Sequence, residues 1–360
     1  MYQLGWFSTG RDKAARDLLK AVNSSIRQSE IKAEIAFVFS NREPGEAEET
    51  DLFFKLVEDY HIPLTCFSYQ KFKASKGAPI TEQTGMLPLR RLDYDRELMN
   101  RLQDFHPDLC VLAGYMLIAG SEMCQRYDMI NLHPAAPGGP TGTWQEVIWQ
   151  LIDNKAQETG VMMHLVTPEL DKGPPVTYCT FPIRGKPFDK YWYEIESHPL
   201  SEVKKKEDEN NPLFKLIRQH GMAREFPLII STLKAFSQGK IKITAGKNLI
   251  DSEGRPINGY NLTDEIDGQI KGATTLAKRK RRGPIVKDIR NLCSRTLLEP
   301  VNKPEFKKGL RKIIDEYPSY LRQIGMVMQA WIVEYIPNKK DEIWRLVGEV
   351  QPKIRQKFEK

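Results

Sequence analysis

The sequence predicts an α/β protein: a Rossmann-like, open, mostly parallel sheet over residues 1–265, then a C-terminal helical extension. Three observations carry this. Short apolar runs alternate with helix-period segments as far as His133, the pattern of crossover units that feed a parallel sheet. Those runs are apolar without alternation, as strands covered on both faces should be. Charge divides unevenly: residues 271–360 hold 22 Lys+Arg against 10 Asp+Glu, and residues 1–270 hold 32 against 37. Such asymmetry marks units with different roles.

The elements follow in order. Tyr2–Phe7 reads as the first strand, turning at Thr9-Gly10 into a helix with Ala14, Leu18, Leu19 and Val22 on one face. Glu34–Phe39 is a second strand, Glu48–Tyr60 a helix, Leu64–Phe67 a short third strand. Asp95–Phe105 is helical, Asp108–Ala113 is a fourth strand, and Met129–Leu132 is a fifth that stops at His133-Pro134. Trp144–Ile152 is a helix; Val161–Val166 and Val176–Ile183 are strands joined by a turn-rich loop, Glu169 to Pro174. Glu202–Asn211 reads as a solvated insertion, Leu213–Phe236 as a helix broken near His220-Gly221 and at Pro227, and Ile241–Ile250 as a hairpin. Residues 266–284, containing Lys278 to Arg282, read as a basic linker or exposed arm; residues 285–360 hold three helices, near 306–314, 320–336 and 342–350.

A chain of 360 residues, 40% hydrophobic and 28% charged, is ordinary for two globular domains. No apolar run approaches membrane-spanning length, and the N-terminus lacks the features of a signal peptide. Five cysteines, an odd number without a C-x-x-C pair, read as free thiols in the cytoplasm rather than as disulfides or a metal site.

The chemistry concentrates at Asn131-Leu132-His133-Pro134. Ligands bind beyond the carboxyl ends of strands in open α/β sheets, and residues two apart on a strand face the same side. Asn131 and His133 therefore share one cleft, with Asp171 in the later turn beside Gly173-Pro174. An amide donor, an imidazole and a carboxylate suit acyl transfer to an amine: one holds an oxyanion, the others manage protons. Residue types alone leave a satisfied turn and a surface aspartate as alternatives.

In order along the chain come Phe39-Ser40-Asn41-Arg42, Asp95-Arg96-Glu97-Leu98 and Pro107 to Met116. Asn131-Leu132-His133-Pro134, Gly142, His164 to Pro174, Phe226 to Ile230 and Gly254-Arg255-Pro256 follow. On these motifs the chain resembles the folate-dependent formyltransferase family over roughly residues 1–265, nearest the branch acting on glycinamide ribonucleotide in purine biosynthesis. The resemblance implies Asn131, His133 and Asp171 as catalytic residues, with 10-formyltetrahydrofolate as co-substrate and no metal. It implies a pterin held mainly by backbone between Met116, Leu117, Ile118 and the segment with Val166, Glu169 and Leu170.

The chain also departs from that pattern. Where the family has Ser-Leu-Leu-Pro, this chain has Ala135-Ala136-Pro137-Gly138-Gly139-Pro140. Leu117 stands where arginine is common, and Trp144 follows Gly142 as either a ligand-stacking or a core aromatic. A glutamate that positions the acceptor falls near Met222, with Arg224 and Glu225 close by. The family's Gly-Ser-Asn phosphate turn is replaced by Ser8-Thr9-Gly10-Arg11-Asp12. Ser8, Thr9, Gly10 and Arg11 are still expected to hold the phosphate of a small phosphorylated amine, since a strand-to-helix turn offers N–H groups and a positive helix end. Asp12 would cap the helix and oppose that charge unless Arg11 offsets it.

Alternatives are a hydrolase releasing formate with the same trio, or transfer to an amino sugar nucleotide or methionyl-tRNA. Related hydrolases carry a regulatory domain ahead of the first strand, which here begins at Tyr2. The partners expected are the small amine and no membrane. A nucleic acid is disfavoured, although the basic tail leaves it open, and a homodimer is compatible with the apolar helix faces around Ile324 and Trp331.

Overall fold

A computed structural model describes residues 1–75, 89–298 and 301–358, the side chains of 273–283 and 357–358 excepted. The chain runs β1 (Tyr2–Phe7), α1 (Lys13–Arg27), β2 (Ala33–Ser40), α2 (Glu48–Asp59), β3 (Leu64–Cys66), α3 (Tyr69–Ser75), α4 (Leu89–Arg101), β4 (Leu109–Leu112), α5 (Ser121–Arg126), β5 (Met129–His133) and α6 (Trp144–Asp153). It continues through β6 (Glu158–Leu165), β7 (Pro175–Pro182), α7 (Asp189–Glu196), α8 (Leu200–Glu207), α9 (Pro212–Ser237), β8 (Ile241–Ile243), β9 (Leu249–Asp251), β10 (Tyr260–Asn261) and α10 (Thr263–Thr296). Four helices follow: α11 (Lys303–Glu316), α12 (Leu321–Tyr335), α13 (Lys340–Val350) and α14 (Pro352–Phe358).

Among the described residues eight strands form one sheet in the order β10-β7-β6-β5-β4-β1-β2-β3, as the α/β pattern predicts. Strands β3, β2, β1, β4 and β5 pair in parallel; β6 is antiparallel to both β5 and β7. The strand order reverses between β1 and β4, which opens a crevice beyond their carboxyl ends. Alternating β1 residues serve two cores: Leu4 and Trp6 join the cluster with α1 and α9, and Phe7 joins the one with α4 and α5. β4 divides likewise, Leu109 and Val111 to the first, Cys110 and Leu112 to the second. Burying each of these large side chains contributes on the order of 1.5–3 kcal/mol.

Local chemistry fixes the helix ends around the crevice. The Asp12 carboxylate accepts from Ala15 N–H and caps α1. Thr143 and Glu146 form a reciprocal capping box at α6. Asn211 caps α9 and Pro212 starts it.

Two expectations need correction here. α9 is continuous through Gly221 and Pro227. Burial of Ile217, Leu228, Ile229, Leu233 and Phe236 outweighs the bond lost at the proline. The Glu202–Asn211 stretch is exposed at most positions, as a solvated segment should be, and lies within α8 and a 3-10 turn. Residues 266–284, read as a linker, lie inside α10; Lys, Arg and Ala favour helix. The side chains of the Lys278 to Arg282 run lie outside the described residues.

The chain divides into two compact units, Met1–Ile270 and Lys271–Lys360. The second has its own core, in which Phe306, Leu310, Ile324, Trp331, Trp344 and Val347 are buried among α11 to α14. The end of α10 brings Ile285, Ile289 and Leu292 to this core, and after it four helices, rather than three, follow among the described residues.

Candidate active site

β5 delivers two polar side chains to the crevice. It pairs with β4 on one side and β6 on the other, so its direction is set, and Asn131 and His133 fall on one face. Pro134 then ends the strand. The His133 ring, 2% exposed at its side chain, donates Nε2–H to the Pro140 carbonyl at 2.8 Å, with the hydrogen placed by that partner. The Ala135–Pro140 loop, which departs from the family pattern, thus anchors the imidazole through its last carbonyl. Its turn is tight: Gly138 has φ of +75°, and a β-carbon on Gly139 would lie 2.9 Å from the Ala136 carbonyl oxygen.

Asp171 arrives from the connection between β6 and β7. Its φ is +54°, a conformation that favours glycine, asparagine and aspartate. Two residues on, a β-carbon at Gly173 would lie 1.6 Å from the Leu165 carbonyl oxygen, so only glycine lets the loop lie against the end of β6. The Asp171 Oδ2 accepts from Gly142 N–H at 3.1 Å and faces His133 Nδ1 at 3.5 Å. Its Oδ1 lies 3.4 Å from Asn131 Nδ2 and 3.5 Å from His164 Nε2.

His164 is the member that sequence reasoning missed. It sits opposite Asn131 in the β5–β6 ladder. Its Nδ1–H donates to the Leu165 carbonyl at 3.0 Å, so Nε2 accepts from Asn131 Nδ2 at 3.1 Å. The signal was a lone histidine in the apolar run Val161–Val166, which equally fits a core residue.

Burial pulls the His133 pKa below its ordinary value, against the opposing effects of the Pro140 carbonyl and Asp171. Burial pushes Asp171 upward, but its polar neighbours, Gly142 N–H among them, outweigh it and hold the carboxyl below its usual range. Near neutral pH the pair is a neutral imidazole beside a carboxylate.

These groups line a cleft of about 450 Å³. Met116, Leu117 and Ile118 after β4, and Val166 and Leu170 before Asp171, also line it. Met116 and Leu170 are exposed, as apolar side chains in an open ligand cleft are. The segment after β4 is held at both ends. Met116 N–H donates to Thr9 Oγ1 at 3.0 Å, and Gly120 N–H to Asp95 Oδ2 at 2.7 Å, within a buried Arg91–Asp95 pair. Glu169 does not line the cleft; it lies 3.5 Å from Lys172 at the surface.

The first three residues of the β1–α1 turn are tied into the protein. Ser8 and Thr9 are buried, and their N–H groups donate to the Phe39 and Gly114 carbonyls. The Thr9 hydroxyl bonds Asn41 at 2.7 Å, and Gly10, at φ of +63°, donates its N–H to Ser8 Oγ. Ser8, Thr9 and Gly10 thus brace the crevice, while Arg11 and Asp12 line it. On the α9 side, Met222 and Glu225 line the cleft, with Glu225 paired to Arg218. Arg224 instead pairs with Asp267 at 2.7 Å. Trp144 lines the cleft and packs on Phe214, with ring centroids 5.7 Å apart. No group of three or more His, Cys, Asp and Glu residues is placed to hold a metal among the described residues.

Residues 13–186 match the formyl transferase family. The chain is 28% identical over 174 residues to phosphoribosylglycinamide formyltransferase of Escherichia coli, covering 46% of this chain and 67% of that enzyme. It is 36% identical over 93 residues to the Saccharomyces cerevisiae enzyme of the same name, covering 24% of this chain and 44% of the other. Formyltetrahydrofolate deformylase of Haemophilus influenzae matches at 26% over 146 residues, 40% of this chain and 43% of that protein. Among solved structures, a Coxiella burnetii phosphoribosylglycinamide formyltransferase shares the fold, with a TM-score of 0.51 and 20% identity over 72% of this chain and 98% of that one.

Proposed function

We propose that this chain, which is similar to the formyl transferase family over residues 13–186, is a folate-dependent formyltransferase that moves a formyl group from 10-formyltetrahydrofolate to a primary amine. The observation that carries this is the meeting of Asn131, His133, His164 and Asp171 on one wall of the cleft. The cleft fits a folate-sized donor: its volume lies in the range of small-ligand sites, and Met116 and Leu170 offer apolar cover.

The donor supplies the formyl carbon. An Asn131 N–H, oriented by His164, turns to the formyl oxygen and steadies the charge that grows on it. Asp171 takes the proton that the amine sheds as the new C–N bond forms, and His133 Nδ1 shares that proton; as the tetrahedral intermediate collapses, the bond from the formyl carbon to N10 of the folate breaks and the same proton passes to N10, releasing tetrahydrofolate. Pro140 and Gly142 keep the imidazole and carboxylate in place throughout.

The names of the relatives point to the glycinamide class as the first acceptor to try, and the reading carries with it a place in purine biosynthesis and a cytoplasmic location. The test is incubation with 10-formyltetrahydrofolate and a panel of amines, following tetrahydrofolate and formylated product together. Tetrahydrofolate release that depends on an amine supports transfer. Amine-independent release with free formate supports the hydrolase reading that the deformylase match suggests.

A further inference from the structure

The backbone between β4 and α5 lines the cleft from Met116 to Ala119. No hydrogen bond joins the N–H or C=O groups of Leu117 or Ile118 to another described residue. Main-chain groups inside a fold are almost always paired, so unpaired ones beside a cleft are free for a ligand. A ligand held in this way depends on the path of the chain, and a small shift of that path misplaces all of its contacts at once.

The segment is neither helix nor strand, so no ladder sets its path. Side chains from elsewhere do. Thr9 N–H donates to the Gly114 carbonyl at 3.1 Å, where the chain turns at a Gly114 φ of +71°. Thr9 Oγ1 accepts from Met116 N–H at 3.0 Å and donates its own hydrogen to Asn41 Oδ1 at 2.7 Å. Thr9 therefore grips the segment at two points, and Asn41 fixes the direction of the hydroxyl. Thr9 is 3% exposed and Asn41 8%, so water is kept from these bonds. At the far end the buried Asp95 accepts from Gly120 N–H, and a β-carbon on Gly120 would lie 2.8 Å from its Oδ2. Thr9 does not itself line the cleft.

We propose that Thr9 is a positioning residue for the folate donor: through Gly114 and Met116 it sets the main-chain path of Leu117 and Ile118, with Asp95 as the fixed far end. The proposal rests on the formyl-transfer reading above. It moves Thr9 from the acceptor's phosphate, its expected partner, to the donor side of the cleft.

The test is equilibrium binding of tetrahydrofolate to the full chain, beside single-turnover transfer at saturating 10-formyltetrahydrofolate. Thr9→Val keeps the shape and removes the hydroxyl; it should weaken tetrahydrofolate binding about tenfold, the scale of one misplaced hydrogen bond. Thr9→Ser restores the hydroxyl and should bind within about twofold of wild type. The single-turnover rate of both variants should stay within about twofold, because the reacting groups are not moved. Asn41→Ala, which frees the Thr9 hydroxyl to turn, should weaken binding in the same direction and decides the matter if Thr9→Val does not fold. The proposal is overturned if Thr9→Val or Asn41→Ala binds as wild type does, if Thr9→Ser weakens binding as much as Thr9→Val, if Thr9→Val slows transfer at saturating donor with binding unchanged, or if wild type binds no tetrahydrofolate. Absence of formyl transfer with these binding ratios intact counts against the formyl-transfer reading and leaves the assignment of Thr9 standing.

Discussion

His133 turns Nδ1 toward Asp171 Oδ2 at 3.5 Å while its Nε2–H is bonded to the Pro140 carbonyl at 2.8 Å. One ring nitrogen is committed as a donor, which leaves the other as a base beside a carboxylate. Both groups are held below their ordinary pKa values. The pair therefore rests with one negative charge and room for one proton, the state that an attacking amine requires.

The pH dependence follows in sign. Acid fills the pair with protons and removes its capacity as a base, so turnover at saturating amine falls as pH falls. Since burial lowers the His133 pKa from 6.5, the acid limb of the kcat profile should have its midpoint below that value. A midpoint above it contradicts the arrangement.

His164→Ala removes the acceptor of the Asn131 amide. An ordinary hydrogen bond contributes about 0.5–1.5 kcal/mol, so kcat should fall by up to roughly tenfold. Single-turnover rates check this, with the donor KM little changed. An unaltered rate would make His164 a packing residue.

Gly173→Ala meets backbone instead of a flexible side chain, 1.6 Å from the Leu165 carbonyl oxygen. The loop must lift, and Asp171 with it. We expect loss of transfer while the fold persists, read from activity beside circular dichroism. An active variant would show that the Asp171 loop tolerates displacement.

A chain ending at Ile270 should fold and bind the donor, because its buried clusters draw on residues up to Ile266 and the second core starts at Ile285. Thermal denaturation with and without a folate checks it. An insoluble product, with the full chain soluble, would assign the last helices a part in the stability of the first unit.

What the sequence disclosed was local. Apolar runs without alternation marked the strands, and Asn131 and His133 at a strand end marked a cleft, because strand period and proline act over a few residues. The ladder partner of Asn131 was hidden, since nothing in Val161–Val166 distinguishes a buried His164 that orients an amide from one that fills space. Pro140 was hidden too, because its contribution is a carbonyl that every residue has. Thr9 read as a ligand donor but bonds Asn41 and Met116, partners distant in sequence. Pro227 read as a helix break, yet tertiary burial keeps α9 whole.

The most direct measurement is single-turnover formyl transfer by Asp171→Asn. Asparagine tolerates the positive φ at this position and can still accept from Gly142 N–H, so the fold and donor binding should be kept. What it lacks is the ability to take a proton. Turnover should fall by about 10²-fold or more with donor affinity unchanged; near-normal turnover would remove Asp171 from the chemistry and contradict the mechanism.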